Sequence, residues 1–216
     1  MNTDSLFQLA HVKQHFGRAA ESYEAAAALQ KEVETRLLEL ADYLPSEPAR
    51  ILDLGCGPGR AAGLLKQRWP KAQVIAMDLA LPMLRRVPKH TRFWRPLQRV
   101  CGNAMQLPFQ DNSFDFIFSS LCLQWAHPLP EALQEIRRVL RPDGMLAFST
   151  FGPDTLIELR EAYLAIGETP ALSGLVQPGR IDLAASALGI VRSRDRLTLG
   201  ANLAAGDAIV LLESSG

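Results

Sequence analysis

The feature that most constrains the fold of this chain is the glycine-rich segment ILDLGCGPG at residues 51–59. A short apolar run at 50–54 predicts a strand, and the stretch 60–68 after the glycines predicts a helix that ends before Pro70. The glycines allow the backbone to turn tightly and to approach a ligand closely. The helix beyond them begins with free backbone N–H groups. The segment therefore predicts a strand, a ligand-binding turn and a helix in direct succession.

An acidic residue stands where a ribose-binding side chain is expected. Asp78 follows the next predicted strand, 73–77, and lies 19 residues after Gly59. A carboxylate at that position can accept hydrogen bonds from both hydroxyls of a ribose. Arg60 takes the place of the last glycine in the dinucleotide pattern G-x-G-x-x-G, which disfavours a dinucleotide. Together with Asp53 inside the first strand, the pattern favours a nucleoside cofactor.

The alternation of strands and helices continues along the chain. Predicted strands occupy 50–54, 73–77, 97–101, 114–119 and 145–150, the last of them after a turn at Pro142-Asp143-Gly144. Predicted helices occupy 9–44, 60–68, 80–88 and 129–140. This order predicts an α/β fold with a doubly wound, mainly parallel sheet and helices on both faces. The cofactor is then expected outside the carboxyl ends of the strands.

The last part of the chain has a different composition. After about residue 165 it is rich in Ala, Gly and Ser and contains no aromatic residue. A helix at 180–188 and a hairpin of 195–199 with 208–213 are expected there, with an antiparallel strand near the carboxyl terminus. A length of 216 residues fits one domain.

Composition excludes several classes of function. The 23 basic and 23 acidic residues cancel, which argues against binding to nucleic acid or to a membrane surface. Three scattered cysteines without a CxxC pair are typical of a reducing compartment, and we expect a cytoplasmic protein. No apolar segment resembles a signal peptide or a transmembrane helix. His11 and His15 have ligand spacing on a helix, but no third ligand accompanies them, so no metal is expected.

Three segments extend the glycine motif into a longer pattern. They are LDLGCGPG at 52–59 followed by Asp78, GNAMQLPFQDNSFD at 102–115 and RVLRPDGMLAFST at 138–150. This combination resembles the class I S-adenosylmethionine-dependent methyltransferases. The resemblance implies a Rossmann-like fold and S-adenosyl-L-methionine as the cofactor. Asn103 stands where that family usually has an aspartate, and its carbonyl oxygen can accept from the adenine amine. The cofactor-binding residues implied by the resemblance are Asp53, Gly55, Cys56, Gly57, Gly59, Asp78, Leu79, Met83, Asn103, Ala104 and Ser120.

A narrower pattern lies in the segments VKQHFGRAAESYEAAAALQ (12–30), SSLCLQW (119–125) and FSTFGPDTLIELREAY (148–163). It resembles the malonyl-acyl carrier protein methyltransferases of biotin synthesis. The resemblance implies a helical lid at 1–46, a cofactor-binding core at 47–150 and a shortened or divergent carboxyl-terminal part at 151–216. It also implies that Tyr23 is catalytic, that Gln30 contacts the methyl donor, and that two residues meet the substrate. These two are Trp125 and Arg160.

Each of these side chains also has a purely structural interpretation. Tyr23 on an alanine-rich helix can simply pack against the core. Trp125 follows an aromatic strand and can belong either to the core or to the wall of a pocket. Arg160 can pair with Asp154 or Glu161 on the surface of a helix.

Residues 85–99 form a basic run, with no acidic residue between Asp78 and Asp111. A solvated loop and helix face is the plain interpretation of such a run. The functional alternatives are a docking surface for an acidic partner, such as an acyl carrier protein, and a nucleic-acid surface. The nucleic-acid surface is the least favoured because only Phe93 and Trp94 offer stacking rings. The basic residues are Arg85, Arg86, Lys89, Arg92, Arg95 and Arg99.

The resemblance implies transfer of a methyl group from S-adenosylmethionine to the free carboxylate of a malonyl thioester, on acyl carrier protein or coenzyme A. A carboxylate with a pKa near ~4 is already ionised at neutral pH, so no general base is required. Three alternatives stay open. The first is a methyltransferase for another small molecule, such as a quinone precursor. The second is a methyltransferase-fold protein that hydroxylates an arginine during assembly of respiratory complex I, which the segment FGPDTLIELR also resembles. The third is an inactive paralogue.

Overall fold

The computed structural model describes residues 9–19, 27–44, 46–90, 97–151 and 186–192. These residues contain one six-stranded sheet flanked by helices. The strands are β1 (Arg50–Leu54), β2 (Gln73–Asp78), β3 (Gln98–Cys101), β4 (Phe114–Ser120), β5 (Leu140–Phe151) and β6 (Ser186–Arg192). The α-helices are α1 (Leu9–Ala19), α2 (Ala28–Glu39), α3 (Arg60–Arg68), α4 (Leu81–Leu84) and α5 (Leu129–Val139). Short 3-10 helices cover Leu40–Tyr43, Val87–His90 and Leu123–Trp125.

The strand order is β3-β2-β1-β4-β5-β6. Strands β2 and β3 are therefore added on one side of β1, and β4, β5 and β6 on its other side. The strands from β3 to β5 run parallel to one another, and β6 is antiparallel to β5. In open parallel sheets, a ligand-binding crevice forms at the carboxyl end of the strand where the order reverses. The doubly wound, mainly parallel α/β fold is confirmed, and the glycine turn lies at that crevice.

The core lies on both faces of the sheet because the central strands are buried on both sides. On one face, α2 and α3 pack against alternate residues of the strands, among them Ile51, Phe116 and Phe118. On the other face, α5 packs against Leu52 and further strand residues. The rings of Phe116 and Phe118 have no exposed surface, and truncating such a ring to alanine costs about 3–5 kcal/mol. Asp53 lies two residues after Ile51 and therefore shares the face of α2 and α3.

Two predicted elements differ in the structure. The predicted helix 9–44 is divided, because Ala27 is not helical and α2 begins at Ala28. The physical reason is that α1 and α2 bury different surfaces: α1 contacts α4, whereas α2 packs on the sheet through Leu37. The predicted helix at 180–188 is also wrong where the structure describes it. Ser186–Arg192 form β6, whose backbone pairs with β5.

The predicted turn at Pro142-Asp143-Gly144 falls within the bounds of β5. Leu140 pairs with Phe114 and Met145 with Phe116, so the residues between Leu140 and Met145 bulge out of the ladder. The turn is thus a bulge inside a longer strand. The predicted hairpin of 195–199 with 208–213 lies outside the described residues.

Candidate functional site

The glycine turn after β1 is built from left-handed backbone. The φ angles of Gly55, Gly57 and Gly59 are 75°, 53° and 89°. A Cβ added to Gly55 would lie 2.3 Å from Sγ of Cys122, and one added to Gly59 would lie 2.8 Å from Val87. Both the backbone conformation and the close packing therefore require glycine at 55 and 59.

The N–H groups of this turn are satisfied within the protein. Those of Gly55 and Cys56 both donate to the carbonyl of Met77, each at 2.9 Å. The N–H of Gly57 donates to Oδ2 of Asp78 at 2.9 Å, and that of Gly59 donates to the carbonyl of Cys56 at 2.9 Å. A phosphate-binding loop instead turns its N–H groups toward the ligand. The turn therefore does not offer these four N–H groups to an anion.

Asp78 lies at the end of β2 with its carboxylate fixed by backbone. Oδ2 accepts from Gly57, and Oδ1 accepts from the N–H of Ala80 at 2.7 Å. Burial raises the pKa of Asp78, while the N–H groups of Ala80, Gly57 and Leu79 act to lower it. A carboxylate has about four acceptor positions, so these N–H groups do not exhaust the capacity of Asp78. The carboxylate is thus held in place with room to accept the hydroxyls of a ribose.

Asp53 is buried, with only 2% of its surface exposed. It accepts a hydrogen bond from the backbone N–H of Ala62 in the first turn of α3, but Oδ2 has no hydrogen-bond partner among the described residues. Burial raises the pKa of Asp53 well above its ordinary value, and the negative charges of Glu34 and Asp78 raise it further. A buried carboxylate oxygen without a partner is costly, and a ligand with a positive or hydrogen-bond-donating group would satisfy it.

Helix α2 brings Glu34 to the same end of α3. Glu34 pairs with Arg60, the first residue of α3, and the side chain of Glu34 is only 16% exposed. Arg60 also donates to Oγ1 of Thr35 at 3.3 Å. On α2, Gln30 lies one turn before Glu34, and the buried Leu37 lies one turn after it. Helix α2 therefore packs on the sheet through Leu37 and brings Glu34 to Arg60, directly after the glycine turn.

Helix α1 contacts both segments that flank β1 at this edge of the sheet. Phe16 packs against Ala80 and Met83, which follow β2. The Phe16 ring also meets the Trp125 ring edge-on, with centroids 5.3 Å apart and an interplanar angle of 86°. Trp125 follows β4, so α1 lies across the β2 and β4 sides of the glycine turn.

The segment after β3 forms a compact turn beside Asp78. The N–H of Gly102 donates to the carbonyl of Asp78 at 3.1 Å. Oδ1 of Asn103 accepts from the N–H of Met105 at 3.0 Å, so this oxygen already closes a local turn. A second lone pair of this oxygen is left for another hydrogen-bond donor. Arg138 anchors the following residues from α5, donating to the carbonyls of Leu107 and Phe109 at 2.9 and 2.7 Å.

The segment at the end of β4 and directly after it, residues 120–122, lies beside the glycine turn. Oγ of Ser120 lies 3.2 Å from Oγ of Ser149, and Leu121 has a φ of 47°. The N–H of Leu121 donates to the carbonyl of Ser149 at 3.0 Å, which holds this unusual backbone in place. The Cys122 side chain that follows packs on Gly55. Burial raises the pKa of Cys122 to about 12, so its thiol is protonated and unsuited to nucleophilic attack.

The structure brings most of the predicted cofactor residues to one edge of the sheet. Met83 is fully buried beneath Phe16, and Cys56 is buried in the core cluster of α2 and α3. The contacts of these residues with a cofactor stay predictions. Tyr23, Arg92, Arg95 and Arg160 lie outside the described residues, and of Lys89 only the backbone is described.

Sequence reasoning missed two side chains at this edge, Glu34 and Phe16. The helical spacing from Gln30 to Glu34 was a usable signal for the first of them. Within the ranges that the structure describes, no group of three or more His, Cys, Asp or Glu side chains is arranged to hold a metal ion. In those same ranges, no helix is both long enough and apolar enough to cross a membrane.

The residues at this edge fit S-adenosylmethionine. That molecule carries a ribose, an ammonium and a sulfonium, and has no phosphate. Asp78 retains acceptor capacity for the ribose, and Asp53 offers a buried oxygen that has no hydrogen-bond partner among the described residues. The N–H groups of the glycine turn are hydrogen-bonded within the protein at Gly55, Cys56, Gly57 and Gly59, as expected of a site that need not bind a phosphate.

Comparison with known proteins agrees with this chemistry. The family described as "Methyltransferase domain" matches residues 52–148. The chain is 51% identical over 171 residues to a malonyl-[acyl-carrier protein] O-methyltransferase of Xylella fastidiosa, a match that covers 79% of this chain and 58% of the relative. It is 46% identical to the protein of the same name from Halorhodospira halophila, covering 73% of this chain and 53% of the relative. The chain thus spans little more than half the length of these curated relatives.

Solved structures give the same fold. A phosphoethanolamine N-methyltransferase 2 from Haemonchus contortus, in complex with S-adenosylhomocysteine, matches with a TM-score of 0.52 and 26% identity over 61% of this chain and 32% of that one. A Haloferax volcanii complex of the Trm112 activator and a methyltransferase matches with a TM-score of 0.53 at 23% identity, covering 71% and 66% of the two chains. Residues 52–148 belong to the methyltransferase-domain family, and the chain shares 46–51% identity with malonyl-[acyl-carrier protein] O-methyltransferases over 73–79% of its own length.

Proposed function

We propose that this protein transfers the methyl group of S-adenosylmethionine to the free carboxylate of a malonyl thioester, an early step of biotin synthesis. One observation carries the donor half of the proposal: Asp78, fixed by Gly57 and Ala80, lies beside a glycine turn whose N–H groups are already bonded. The acceptor half is supported by the identity of 51% to a protein named for that reaction.

The donor would be held mainly by backbone and by carboxylates. Asp78 would accept hydrogen bonds from the ribose hydroxyls of S-adenosylmethionine. The buried oxygen of Asp53 would accept one from the ammonium group of the same molecule. Leu79, Asn103 and Ala104, which follow β2 and β3, border the adenine. S-adenosylmethionine supplies an electrophilic methyl group on its sulfonium. We propose that the glycine turn makes further contacts with this molecule. Further contacts are proposed for Met83, Ser120 and Gln30.

The protein has little acid–base chemistry to perform in this reaction. The malonyl carboxylate is ionised at neutral pH, so it attacks without losing a proton. A C–O bond to the methyl carbon forms as the C–S bond breaks, and the electron pair of that bond stays on sulfur. The product is a methyl ester and a neutral thioether. Alignment of the carboxylate with the C–S bond and exclusion of water therefore carry the catalysis.

Three residues are proposed to perform that alignment. Trp125, packed against Phe16, forms a wall beside the donor. Tyr23 in the lid and Arg160 beyond β5 complete the acceptor side, where a guanidinium can hold a carboxylate in a two-bond fork. Replacement of Tyr23 by Phe keeps the ring and removes one polar contact, so we expect slower turnover with an unchanged fold. Equal rates of Tyr23→Phe and wild type at saturating donor would reduce Tyr23 to a packing residue.

The basic run is the proposed docking surface for an acidic acyl carrier protein. Arg85 is exposed immediately after α4, and Arg99 on β3 is exposed while donating to the carbonyl of Leu84 at 3.3 Å. The run begins within a few residues of Asp78 and Met83, so a docked carrier would lie beside the donor site. The proposed docking residues are Arg85, Arg86, Lys89, Arg92 and Arg95.

The chain is also proposed to divide into a lid at 1–46, a cofactor-binding core at 47–150 and a divergent carboxyl-terminal part at 151–216. Helices α1 and α2 would form the lid, and β1 to β5 with α3 to α5 the core. Cys56, Cys101 and Cys122 all carry free thiols, which supports the proposal of a reducing, cytoplasmic location.

The deciding experiment measures transfer of a labelled methyl group to malonyl-acyl carrier protein and to malonyl-coenzyme A. Acetyl-acyl carrier protein, which lacks the free carboxylate, is the matched control and should remain unlabelled. If the basic run docks the carrier, added salt should slow the carrier-protein reaction more than the coenzyme A reaction. Label on a quinone precursor but on neither malonyl thioester would overturn the assignment. Bound donor with no labelled product would indicate an inactive paralogue.

A further inference from the structure

Three carboxylates surround the glycine turn, and two of them meet the first turn of α3. Asp53 accepts from the N–H of Ala62, and Glu34 pairs with Arg60. Asp78 reaches the turn from the other side through the N–H of Gly57. These groups come from β1, α2 and β2, three separate elements that converge on one place.

Among the residues whose contacts at this turn are described, Arg60 is the cation paired with the cluster. Its charge is committed to Glu34, and the two side chains are 32% and 16% exposed. Asp53 and Asp78 lie beside this ion pair, and Oδ2 of Asp53 is buried without a hydrogen-bond partner in the described ranges. This arrangement favours a ligand that brings positive charge, and Glu34 holds the guanidinium of Arg60 away from the other two carboxyl groups.

We propose that Glu34 is a specificity-determining residue, which makes the site prefer the positively charged methyl donor over its neutral product. The inference rests on the proposed function only in taking S-adenosylmethionine as the donor. It adds a role for a residue of α2 in releasing S-adenosylhomocysteine after each turnover, because the loss of the sulfonium charge weakens binding once the methyl group has left.

The two ligands isolate this effect from all other contacts. Donor and product share the adenosine, the ammonium and the carboxylate, and they differ in one methyl group and one positive charge. The ratio of their dissociation constants therefore reports the electrostatic potential at the sulfur. A residue that merely shapes the site would change both constants together and leave the ratio unmoved.

The raised pKa of Asp53 also indicates that Glu34 makes the potential around it more negative. The charge of Glu34 is, after burial, the largest contribution that raises the pKa of Asp53. Glu34 thus exerts its field at the buried Asp53 as well as on Arg60. A cation bound beside Asp53 would experience that field as attraction.

The test is isothermal titration calorimetry of both ligands against wild type, Glu34→Gln and Arg60→Gln. Glu34→Gln should weaken S-adenosylmethionine about three- to tenfold and leave S-adenosylhomocysteine within about twofold, since the negative charge that acts on Asp53 is removed and Arg60 loses its partner Glu34. Arg60→Gln should move the ratio the opposite way, because it removes the opposing charge. Glu32→Gln is the matched control, since Glu32 lies on the same helix with 61% of its side chain exposed and pairs with Arg36.

The outcomes separate the two proposals. If wild type binds neither ligand, the proposed function fails. If wild type binds both and the variants change both constants by the same factor, Glu34 has only a structural role and the inference fails. Retained binding of S-adenosylhomocysteine shows that Glu34→Gln is folded. Should that variant not fold, Arg60→Gln decides alone, and an unchanged ratio in it overturns the inference.

Discussion

The glycine turn at 55–59 and the helices α1 and α2, here called the cover, are held by different kinds of contact. In the turn, the N–H groups of Gly55, Cys56 and Gly57 bond to the Met77 carbonyl or to Asp78 at 2.9 Å. In the cover, the contacts are between side chains: the Phe16 ring on Trp125 and the Glu34 carboxylate on Arg60. Backbone contacts at positive φ tolerate little substitution, whereas side-chain contacts can be exchanged or separated.

This difference fits two tasks at one site. Under the proposed function, the turn presents the donor in a fixed geometry, because a misplaced methyl group reacts slowly. The proposed lid would then open to admit the donor and to release the product. The glycine turn is thus a rigid floor beneath a separable cover. We therefore expect equivalent substitutions in the floor and in the cover to change donor affinity by different amounts.

The largest effect is expected from Gly55→Ala. The residue has a φ of 75°, and its new Cβ would lie 2.3 Å from Sγ of Cys122. Positive φ alone costs about 1–2 kcal/mol, and the overlap must displace either Cys122 or the turn. We expect donor binding to fall below detection in calorimetry, with a lower melting temperature.

Gly17→Ala in α1 is the matched control in the cover. A Cβ there would lie 3.6 Å from Pro82, which is ordinary van der Waals contact. Replacing glycine inside a helix by alanine should stabilise the protein by about 0.5–1 kcal/mol. Equal losses of donor affinity in the two glycine variants would contradict the contrast between floor and cover.

A smaller but still large effect is expected from Asp78→Ala. The substitution removes the proposed ribose contacts and also the acceptors for Gly57 and Ala80. Each lost hydrogen bond to a charged group costs about 1.5–3 kcal/mol, so donor and product should both weaken by at least about tenfold. Calorimetry with both ligands measures this directly. Asp42→Asn, an exposed aspartate that pairs with Arg68 on the surface, should leave both affinities unchanged.

Asp53→Asn is expected to change stability and binding in opposite directions. The pKa of Asp53 is raised well above 3.8 in the folded protein, so the folded state holds its proton more tightly than the unfolded state. Stability contributed by this group is present below pH ~4 and is lost as the pH rises through the folded pKa. The asparagine variant avoids that loss and still accepts from Ala62. Without ligand, it should therefore melt higher than wild type at pH 7.

The pH dependence supplies the check on Asp53→Asn. The difference in melting temperature between variant and wild type should shrink as the pH is lowered toward 4, where Asp53 is protonated in wild type. Added S-adenosylmethionine should raise the melting temperature of wild type more than that of the variant. A variant that melts lower than wild type at every pH would show that the Asp53 charge stabilises the fold.

The same contrast separates what the sequence could predict from what it could not. The strand at 50–54, the glycine turn and the acid at 78 were readable because each depends on local backbone requirements at a fixed spacing. The break at Ala27 and the pairing of Glu34 with Arg60 depend on how helices distant in sequence pack together. Periodicity placed residues 28–39 in a helix, but it gave no information on which residue of α3 that helix would meet.

The C-terminal elements show the same limit from another direction. The sequence predicted an antiparallel strand near the carboxyl terminus, and β6 supplies it. The helix predicted at 180–188 is wrong from Ser186 onward to residue 188, and the strands predicted at 195–199 and 208–213 lie outside the described residues. The free edge of β5 decides the conformation of Ser186–Arg192, and pairing with a neighbouring strand overrides local propensity.

The smallest effect is expected from Phe16→Ala in the cover. The substitution removes an edge-on ring contact to Trp125, worth about 0.5–1.5 kcal/mol, together with part of the packing on Met83. Because the contact closes the cover and does not shape the floor, we expect the equilibrium affinity for the donor to fall only about two- to tenfold. The loss should appear as faster dissociation of the donor in stopped-flow measurements, with little change in association. Phe16→Leu, which keeps an apolar side chain over Met83, should lie between alanine and wild type. If Phe16→Ala instead abolished binding as completely as Gly55→Ala, the cover would be as much a part of the donor site as the turn.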